Sequence, residues 1–356
     1  MKKNLSLIFI SVIITLIIIE IFFKIFFPQE LTSPFRVYGK DGILLNVSNN
    51  NAYHFLKERR VEYRFGEYHN RIYNFKKKEK KILILGDSFT FGWLLKDENT
   101  YVYKLNKKFS NYYFVNAAAG GWGTSDQLKY LTEFCKIIKP MYTIIFFGID
   151  DIGRSKNSNL FYLDENSEIK SGKNKVYKIE ILTENFLYKI AVENSHLLNF
   201  LRKKISKFIN QKKSNNETIA QNKKKDYSKI IKPDKLNSAI GITTEIVKEN
   251  KRNEKFIFEK KLFLKINEEV KKCESQLILI NLGWEDYNKN LNLAFLKKAK
   301  TFFEVNSIKF IDLIDNMKFV RNNKQDYMIK YDGHPNELAN QIIFELVSKK
   351  LINLLD

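Results

Sequence analysis

The stretch KILILGDSFTFGW, Lys81–Trp93, puts a glycine, an aspartate and a serine directly after a short apolar run. The apolar residues Ile82–Leu85 have the pattern of a strand buried on both faces, as in a parallel sheet. Such a strand would place Ser88 at the carboxyl edge of the sheet, where functional groups of α/β proteins gather. Ser88 is then either a nucleophile or an ordinary residue of the turn that ends the strand. Features further along the chain decide between these two interpretations.

Apolar runs alternate with helical patterns from Lys81 onward. Predicted strands cover 82–85, 112–118, 142–148, 275–282 and 308–314, and predicted helices cover 101–109, 127–138, 255–273, 293–305 and 336–355. This alternation predicts a parallel α/β sheet with right-handed crossovers. The pattern breaks at about 155–254, which contains a helical stretch at 184–209 and the polar run 211–229, and we interpret it as an insertion that covers or flanks the site.

The amino-terminus carries a long apolar segment. Leu5–Phe27 has Glu20 and Lys24 as its charged residues and is long enough to cross a bilayer as a helix. Bulky Ile and Phe continue up to Pro28 without a small-residue cleavage site, which favours an anchor over a cleaved signal peptide. The predicted organisation is an anchor at 1–28, a juxtamembrane segment at 29–80 and an α/β domain at 81–356 that contains the insertion. Lysines at positions 2 and 3 favour an extracytoplasmic domain.

Charge and cysteine content narrow the function classes. The formal net charge of +21 comes from 61 Lys and Arg against 40 Asp and Glu. These lysines lie in short scattered runs such as Lys76–Lys81, without zinc-finger spacing or a recognition-helix pattern, so we expect a solvated surface and no nucleic-acid partner. Cys135 and Cys273 lack metal-ligand spacing and are expected in the core, with pairing left open if the domain lies outside the cytoplasm.

Four loops at or near predicted element ends hold the residues that could carry chemistry. They are Gly86–Gly92, Asn116–Thr124, Gly148–Asp151 and Tyr331–Asn336. They supply a serine, a glycine-rich loop with bare backbone N–H groups, and a histidine close to an aspartate. These are the components of a nucleophile, oxyanion donors and an oriented general base.

Single residues outside this set fit ordinary structural roles. His54, His69 and His196 lack a comparable loop context. Asp87 is expected to act as a structural turn residue. Trp122 lies between glycines and is expected to contact the site, whereas Trp93 and Trp284 fit a ligand cleft or the core equally well.

In these blocks the sequence resembles the SGNH (GDSL-type) hydrolase family. GDSFTFG, Gly86–Gly92, resembles the family's first block and has Ser88 in the place of the nucleophile. Gly121 falls where the second block gives an oxyanion-hole N–H. DGHPN, Asp332–Asn336, resembles the last block, with His334 as base and Asp332 as its carboxylate partner. The resemblance implies a flavodoxin-like, three-layer α/β/α sandwich that needs neither a metal nor a cofactor.

Two positions depart from the family pattern. The family commonly has its aspartate three residues before the histidine, where this chain has Tyr331, so Asp332 must serve instead. The third block, GIDD at Gly148–Asp151, has Asp150 where an asparagine usually donates to the oxyanion. Three interpretations stay open: burial keeps Asp150 protonated, the backbone donors act alone, or the enzyme is impaired.

The resemblance implies a membrane-anchored serine ester hydrolase that forms an acyl-enzyme on Ser88. Its expected substrates are O-acyl esters, above all O-acetyl esters, of an envelope carbohydrate, with lipid esters as the nearest competitor. One alternative is an O-acyltransferase that uses the same site with a hydroxyl acceptor. The other is a non-catalytic protein that binds an envelope glycan or a partner on the same fold.

Overall fold

Eleven strands and eleven helices are assigned in the computed structural model, which describes residues 2–148, 150–174, 185–205, 256–284 and 299–355. The strands are β1 Arg36–Tyr38, β2 Leu44–Asn46, β3 Asn50–Leu56, β4 Arg59–Phe65, β5 Lys81–Leu85, β6 Tyr113–Asn116, β7 Tyr142–Phe147, β8 Phe161–Leu163, β9 Ile169–Ser171, β10 Gln276–Asn281 and β11 Lys309–Asp312. The helices are α1 Lys2–Phe26, α2 Ser88–Phe91, α3 Tyr101–Lys108, α4 Thr124–Ile138, α5 Asp150–Asn157, α6 Phe186–Asn194, α7 at 196–205, α8 at 256–272, α9 at 299–305, α10 Lys318–Asn322 and α11 Glu337–Leu355.

The central sheet has the strand order β11-β10-β7-β5-β6, and all four neighbouring pairs are parallel. Counted among themselves in chain order, these five strands follow 2-1-3-4-5, the flavodoxin-like arrangement. Leu85 lies opposite Ile145, and Asn281 lies opposite Phe147, so the carboxyl ends of β5, β7 and β10 meet at one edge. The predicted parallel α/β sheet is confirmed.

Each face of the sheet has its own apolar core. Alternate strand residues such as Leu83 and Ile145 pack on one face with residues of α4 and α8. Their neighbours, such as Ile82 and Ile144, pack on the other face with residues of α3 and α11. Strands buried on both faces explain the continuous apolar runs in the sequence, and the three-layer α/β/α sandwich is confirmed.

The chain divides into two compact units. The first comprises Met1–Pro34, Phe55–Glu58 and Thr183–Asn250, and the second comprises Phe35–His54, Arg59–Leu182 and Lys251–Asp356. In the first unit, α1 contains Ser6–Phe26, 21 residues of mean hydropathy 2.8 with no buried portion. This segment is long and apolar enough to span a membrane.

The predicted boundary at Lys81 is not where the second unit begins. Ile43 and Tyr63 are completely buried in clusters of that unit, and most of the segment predicted as juxtamembrane belongs to it. Its short strands form the two-stranded sheets β1–β2 and β3–β4. Aromatic and charged residues alternate in these strands, as in RRVEYRF, Arg59–Phe65, so they lack the continuous apolar runs of the central sheet.

Much of the predicted insertion at 155–254 lies outside the described residues, including the polar run 211–229. Its described parts are the end of α5, the β8–β9 pair, α6 and α7. The single helix predicted for 184–209 is two helices in its described portion, because Ser195 has an extended backbone between them.

The two cysteines form a disulfide, the pairing that the sequence left open. Cys135 lies in α4, Cys273 follows α8, and their Cα atoms are 6.0 Å apart across a sequence separation of 138. Residues of α4 and α8 share one apolar cluster, and this packing brings the cysteines within disulfide range. Sequence spacing alone could not show that approach.

Candidate active site

Ser88 is the first residue of α2, directly after the turn that ends β5. Asp87 caps this helix: its carboxylate accepts a 2.9 Å hydrogen bond from the N–H of Phe89. Gly86 packs so closely that a Cβ there would collide with the side chain of Thr90. The glycine and the cap thus fix a tight strand-to-helix turn, and the Ser88 side chain lies at its start with the residue 8% exposed.

The structure brings Ser88, His334 and Asp332 together across 246 residues of sequence. The Nε2 atom of His334 lies 2.8 Å from the Oγ atom of Ser88. The other ring nitrogen, Nδ1, forms a short hydrogen bond with the Asp332 carboxylate. A hydroxyl, an imidazole and a carboxylate in this order can activate the hydroxyl as a nucleophile.

A glycine in a left-handed conformation permits the two-residue spacing between Asp332 and His334. Gly333 has a φ of +94°, which turns the chain so that the Asp332 carboxylate also accepts a 3.3 Å bond from the His334 backbone N–H. Tyr331, which occupies the family's usual aspartate position, is 67% exposed. The carboxylate at the imidazole is therefore that of Asp332.

Two aromatic side chains enclose the imidazole of His334. The Trp93 ring stacks on it with centroids 5.6 Å apart, and the edge of Phe89 meets it at 5.4 Å. Trp93 also hydrogen-bonds to Asp332. Burial alone would raise the pKa of Asp332, but hydrogen bonds from His334 and Trp93 and the charge of the imidazole together hold that pKa below its usual value. The sequence left Trp93 open between a ligand cleft and the core, and the structure places its ring against the imidazole of His334.

Gly121 presents its backbone at the surface of the second loop. Its φ is +82°, and a Cβ at this position would meet no atom within 4 Å. Within the described ranges, neither its N–H nor that of Ser88 donates a hydrogen bond to another group. Both N–H groups are thus available to an oxygen atom of a ligand.

The sequence predicted that the next residue, Trp122, contacts the site. Its side chain lies in the core instead. It is 1% exposed, its ring packs on Tyr130, and its indole N–H donates a 2.5 Å hydrogen bond to the carbonyl of Leu44. Strand β2, which the sequence pattern did not reveal, supplies that acceptor. Trp122 therefore holds the loop onto the core.

Asp150 is exposed and contributes to the wall of a cavity at the carboxyl edge of the sheet. The interpretation in which burial keeps it protonated is not supported by this exposure. Its neighbour Asp151 is the buried member of the pair, at 2% exposed, and accepts a 3.1 Å hydrogen bond from the N–H of Gly148. Asp151 therefore has a structural role in shaping the third loop.

Arg154 connects three of the loops. The sequence pattern did not indicate this role. Its guanidinium Nη1 donates to Asp87 at 2.7 Å, to Asp151 at 3.3 Å and to the carbonyl of Trp122 at 3.3 Å. These acceptors come from the first, third and second loops respectively. The available signal was an arginine three residues after the GIDD block, but its contacts depend on the fold.

The cavity beside these loops has a volume of about 140 Å³. Its walls include both neighbours of Ser88 and carry charged and aromatic groups: Asp87, Phe89, Asp150, Arg154, Trp284 and Lys324. The Lys324 ammonium lies 5.6 Å from the Trp284 ring. Of the three tryptophans, Trp284 is thus the one that lines this cavity. Among the described residues, no group of three or more His, Cys, Asp and Glu side chains is placed to hold a metal ion.

The remaining histidines lie away from the Ser88 hydroxyl. His54 meets the ring of Trp93 edge-on at 4.6 Å, and His69 Nδ1 lies 2.6 Å from the carbonyl of Asn46. His196 lies in the first unit, where its Nδ1 accepts a 2.9 Å hydrogen bond from the N–H of Gln29. His54 thus supports the aromatic wall of the site, and the other two have local structural contacts.

No protein-family model matches the chain, and no curated protein matches it. Solved structures similar to it are esterases, lipases and acylhydrolases, several of them described as GDSL-type. The psychrotrophic esterase EstA from Pseudoalteromonas sp. has 13% identity and a TM-score of 0.42, over 78% of this chain and 99% of that one. The acetyl xylan esterase AlAXEase has 12% identity and a TM-score of 0.40, over 76% and 99%. A GDSL-like lipase from Bacteroides thetaiotaomicron has 13% identity and a TM-score of 0.37, over 80% and 93%.

Proposed function

We propose that this protein is a membrane-anchored serine ester hydrolase of the SGNH type. The observation that carries the proposal is the hydrogen-bonded chain from the Ser88 hydroxyl through His334 to Asp332. A hydroxyl, an imidazole and a carboxylate in this order support nucleophilic catalysis, and the fold brings Ser88 from the first loop to the Asp332–His334 pair of the last loop.

In the proposed reaction, Ser88 Oγ attacks the ester carbonyl carbon while its proton moves to His334 Nε2. The tetrahedral oxyanion is received by the backbone N–H groups of Ser88 and Gly121. The bond to the alcohol then breaks as Nε2 returns the proton to the leaving oxygen, and the acyl group stays on Ser88. Water, losing a proton to His334, hydrolyses this acyl-enzyme, and Asp332 holds the imidazole in the tautomer that each step needs.

Asp150 enters this proposal as a group at the cavity wall and not as a donor. Its side chain is exposed and lacks the amide N–H groups with which an asparagine would donate to an oxyanion. Two backbone N–H groups remain to stabilise the transition state. The proposed enzyme is accordingly slower than one with a third donor, since each such donor contributes about 2.7 to 4 kcal/mol.

The proposed substrates are O-acetyl esters of an extracytoplasmic carbohydrate. The cavity of about 140 Å³ is close in size to an engineered cavity of about 150 Å³ that binds benzene, so it accepts a small group. Its charged and hydrogen-bonding walls, with the Trp284 ring exposed to the cavity, fit a polar hydroxylated alcohol better than a long acyl chain.

The site is proposed to face the outside of the cytoplasm. The apolar segment Ser6–Phe26 supports attachment to the membrane. The disulfide between Cys135 and Cys273 supports an oxidising compartment, because such bonds are rare in the cytosol. Digestion of intact spheroplasts with added protease tests this side: the second unit is expected to be cut, and complete protection before lysis would contradict the proposal.

A fluorophosphonate probe tests the catalytic proposal on the full chain in detergent. The wild type is expected to be labelled covalently, and Ser88→Ala is expected to lose the label. Ser158→Ala, which changes a serine outside the site, is the matched control and should be labelled like the wild type. If folded wild-type protein takes no label, the protein is a binding protein on this fold. Turnover of acetyl esters with and without added sugar acceptors then separates hydrolysis from acyl transfer.

A further inference from the structure

The first unit contains two consecutive helices, α6 and α7, whose junction contacts the apolar helix α1; we call this helix pair the hairpin and its junction the tip. Helices α6 and α7 meet at Ser195, and three donors at this junction bind the carboxylate of Glu20. The Ser195 hydroxyl donates at 2.7 Å, and the N–H groups of His196 and Leu197 donate at 2.5 Å and 3.2 Å. The carboxylate within the apolar segment is thereby satisfied by the free N–H groups at the start of α7.

The depth of Glu20 sets the depth of the hairpin tip. Glu20 lies six residues before Phe26, the last residue of the candidate span, which is about 9 Å along a helix at 1.5 Å per residue. A carboxylate at that depth is costly unless it is hydrogen-bonded, and here the hairpin supplies the bonds. When α1 spans a bilayer, the Ser195 turn therefore lies below the edge of the hydrocarbon.

Aromatic packing fixes α7 along the outer end of α1. The ring of Phe200 lies 5.0 Å from that of Phe23 and 5.8 Å from that of Phe27. Phe23 and Phe27 follow Glu20 by three and seven residues, so these contacts extend for about two helical turns beyond Glu20. The two helices thus run side by side through the boundary between hydrocarbon and headgroups.

The hairpin also exposes apolar side chains beyond those that contact α1. Leu187 is 74% exposed, Ile190 43%, Leu201 45% and Ile205 52%. Exposed apolar side chains of this kind are typical of a surface that binds another apolar phase. We expect the bilayer around α1 to bury them as well.

Charge in the hairpin suits an anionic membrane surface. The segment 185–205 has four basic residues, Lys189, Arg202, Lys203 and Lys204, and one acidic residue, Glu193. Three of the four basic residues lie in α7 beyond Phe200, toward the headgroup end. Lysines and arginines at that level bind acidic headgroups while their stems cover apolar surface.

We propose that α6 and α7 form a second membrane contact: a hairpin that inserts its tip beside α1 and binds an anionic lipid bilayer. This rests on the proposed anchoring by α1. The first unit would then hold its orientation at the membrane through two elements, so that rotation about a single anchor is restricted.

Tryptophan reporters in the full chain test this proposal in vesicles of phosphatidylcholine and phosphatidylglycerol with brominated acyl chains. Leu201→Trp reports on α7, Ile13→Trp on α1, and Ile137→Trp on α4 of the second unit, each measured as the difference from the wild type. The emission of the α7 and α1 reporters is expected to fall by about half, as for groups at acyl-chain depth, while that of the α4 reporter is retained. Unquenched Leu201→Trp with quenched Ile13→Trp would overturn the hairpin proposal alone, and quenching of all three alike would show unspecific contact and also overturn it.

A substitution at Glu20 tests whether the tip is inserted in the bilayer or only lies near its surface. Glu20→Ala in the Leu201→Trp protein removes the acceptor, so the N–H groups at the tip lose their partner in the hydrocarbon and the tip withdraws. Quenching at position 201 is expected to weaken about twofold, with Ile13→Trp quenching unchanged and Glu20→Gln intermediate. If Ile13→Trp is itself unquenched, the anchor fails and the hairpin proposal fails with it, whereas fluorophosphonate labelling of Ser88 stays unaffected.

Discussion

Arg154 donates a 2.7 Å hydrogen bond to Asp87, the residue directly before Ser88. The same nitrogen reaches the third loop at Asp151 and the second loop at the Trp122 carbonyl. One cation therefore sets the relative positions of the hydroxyl and of the loop that carries Gly121. Because displacements of about 1 Å in an active site cost about 100-fold in rate, this contact should control turnover.

Arg154→Met is expected to lower kcat about 10- to 100-fold while the protein stays folded. Arg154→Lys keeps the positive charge without the planar fork and should recover part of the loss. Steady-state kinetics on p-nitrophenyl acetate, with thermal denaturation as the folding check, measure both. A folded Arg154→Met protein with wild-type kcat would show that the loops hold their positions without it.

The carboxylate beside the imidazole can be tested by moving it. Asp332→Asn should reduce kcat by about 10³- to 10⁴-fold, because the imidazole loses the acceptor that fixes its tautomer. Placing Tyr331→Asp in the same protein should not restore activity, since residue 331 is exposed and residue 332 is the one at the ring. Recovery in the double variant would mean that the turn at Gly333 can rearrange.

Asp150→Asn should raise activity. Asparagine replaces an exposed carboxylate at the cavity wall with an amide that can donate to the oxyanion, and one such donor changes kcat by about 100-fold in other enzymes. A gain of about tenfold or more is expected, in keeping with partial alignment of the new amide. Asp315→Asn, at an exposed carboxylate outside the cavity, is the control. A large loss of kcat in Asp150→Asn would instead give the acid its own role in the reaction.

Glu259 makes stability depend on pH. It is completely buried beside the first turn of α4, where its carboxyl accepts a short hydrogen bond from the Thr124 hydroxyl, and burial raises its pKa to about 7 from 4.5. The folded state therefore binds more protons than the unfolded state between these values. Its contribution to the free energy of unfolding falls as pH rises through that window, by about 3 kcal/mol in total.

Glu259→Gln removes this dependence while keeping an acceptor for Thr124. The variant should match the wild type near pH 4 and exceed its free energy of unfolding by up to about 3 kcal/mol at pH 8. Thermal or denaturant unfolding at both pH values provides the comparison. Glu268→Gln, an exposed position on the same helix, should have no such effect. Equal stability of Glu259→Gln and wild type at pH 8 would show that the buried carboxyl ionises without cost.

The sequence predicted those parts of the fold that depend on local pattern. Runs such as Ile82–Leu85 are apolar on both faces, so they indicated buried parallel strands and, through them, which loops meet. Ser88, Asp332 and His334 could be named because they lie in such loops with recognisable neighbours. Their catalytic roles remain predictions that the experiments above test.

Features that depend on contacts between residues distant in sequence could not be predicted from the local pattern. The glycines that flank Trp122 are the same whether its ring faces a ligand or the core. Its ring faces the core because the indole N–H donates to the carbonyl of Leu44, which is distant in sequence. The three acceptors of Arg154 lie in loops that are separate in sequence. Likewise, the segment before Lys81 alternates aromatic and charged residues, and its burial depends on a surface that only the folded sheet provides.

The bond between Cys135 and Cys273 gives the protein a covalent connection across residues 206–255. A single proteolytic cut anywhere in that interval would produce two polypeptides, one with Ser88 and the other with His334. They would remain one molecule on a non-reducing gel and separate into two bands on a reducing one. The disulfide would thus keep Ser88 and His334 in one covalent molecule after such a cut.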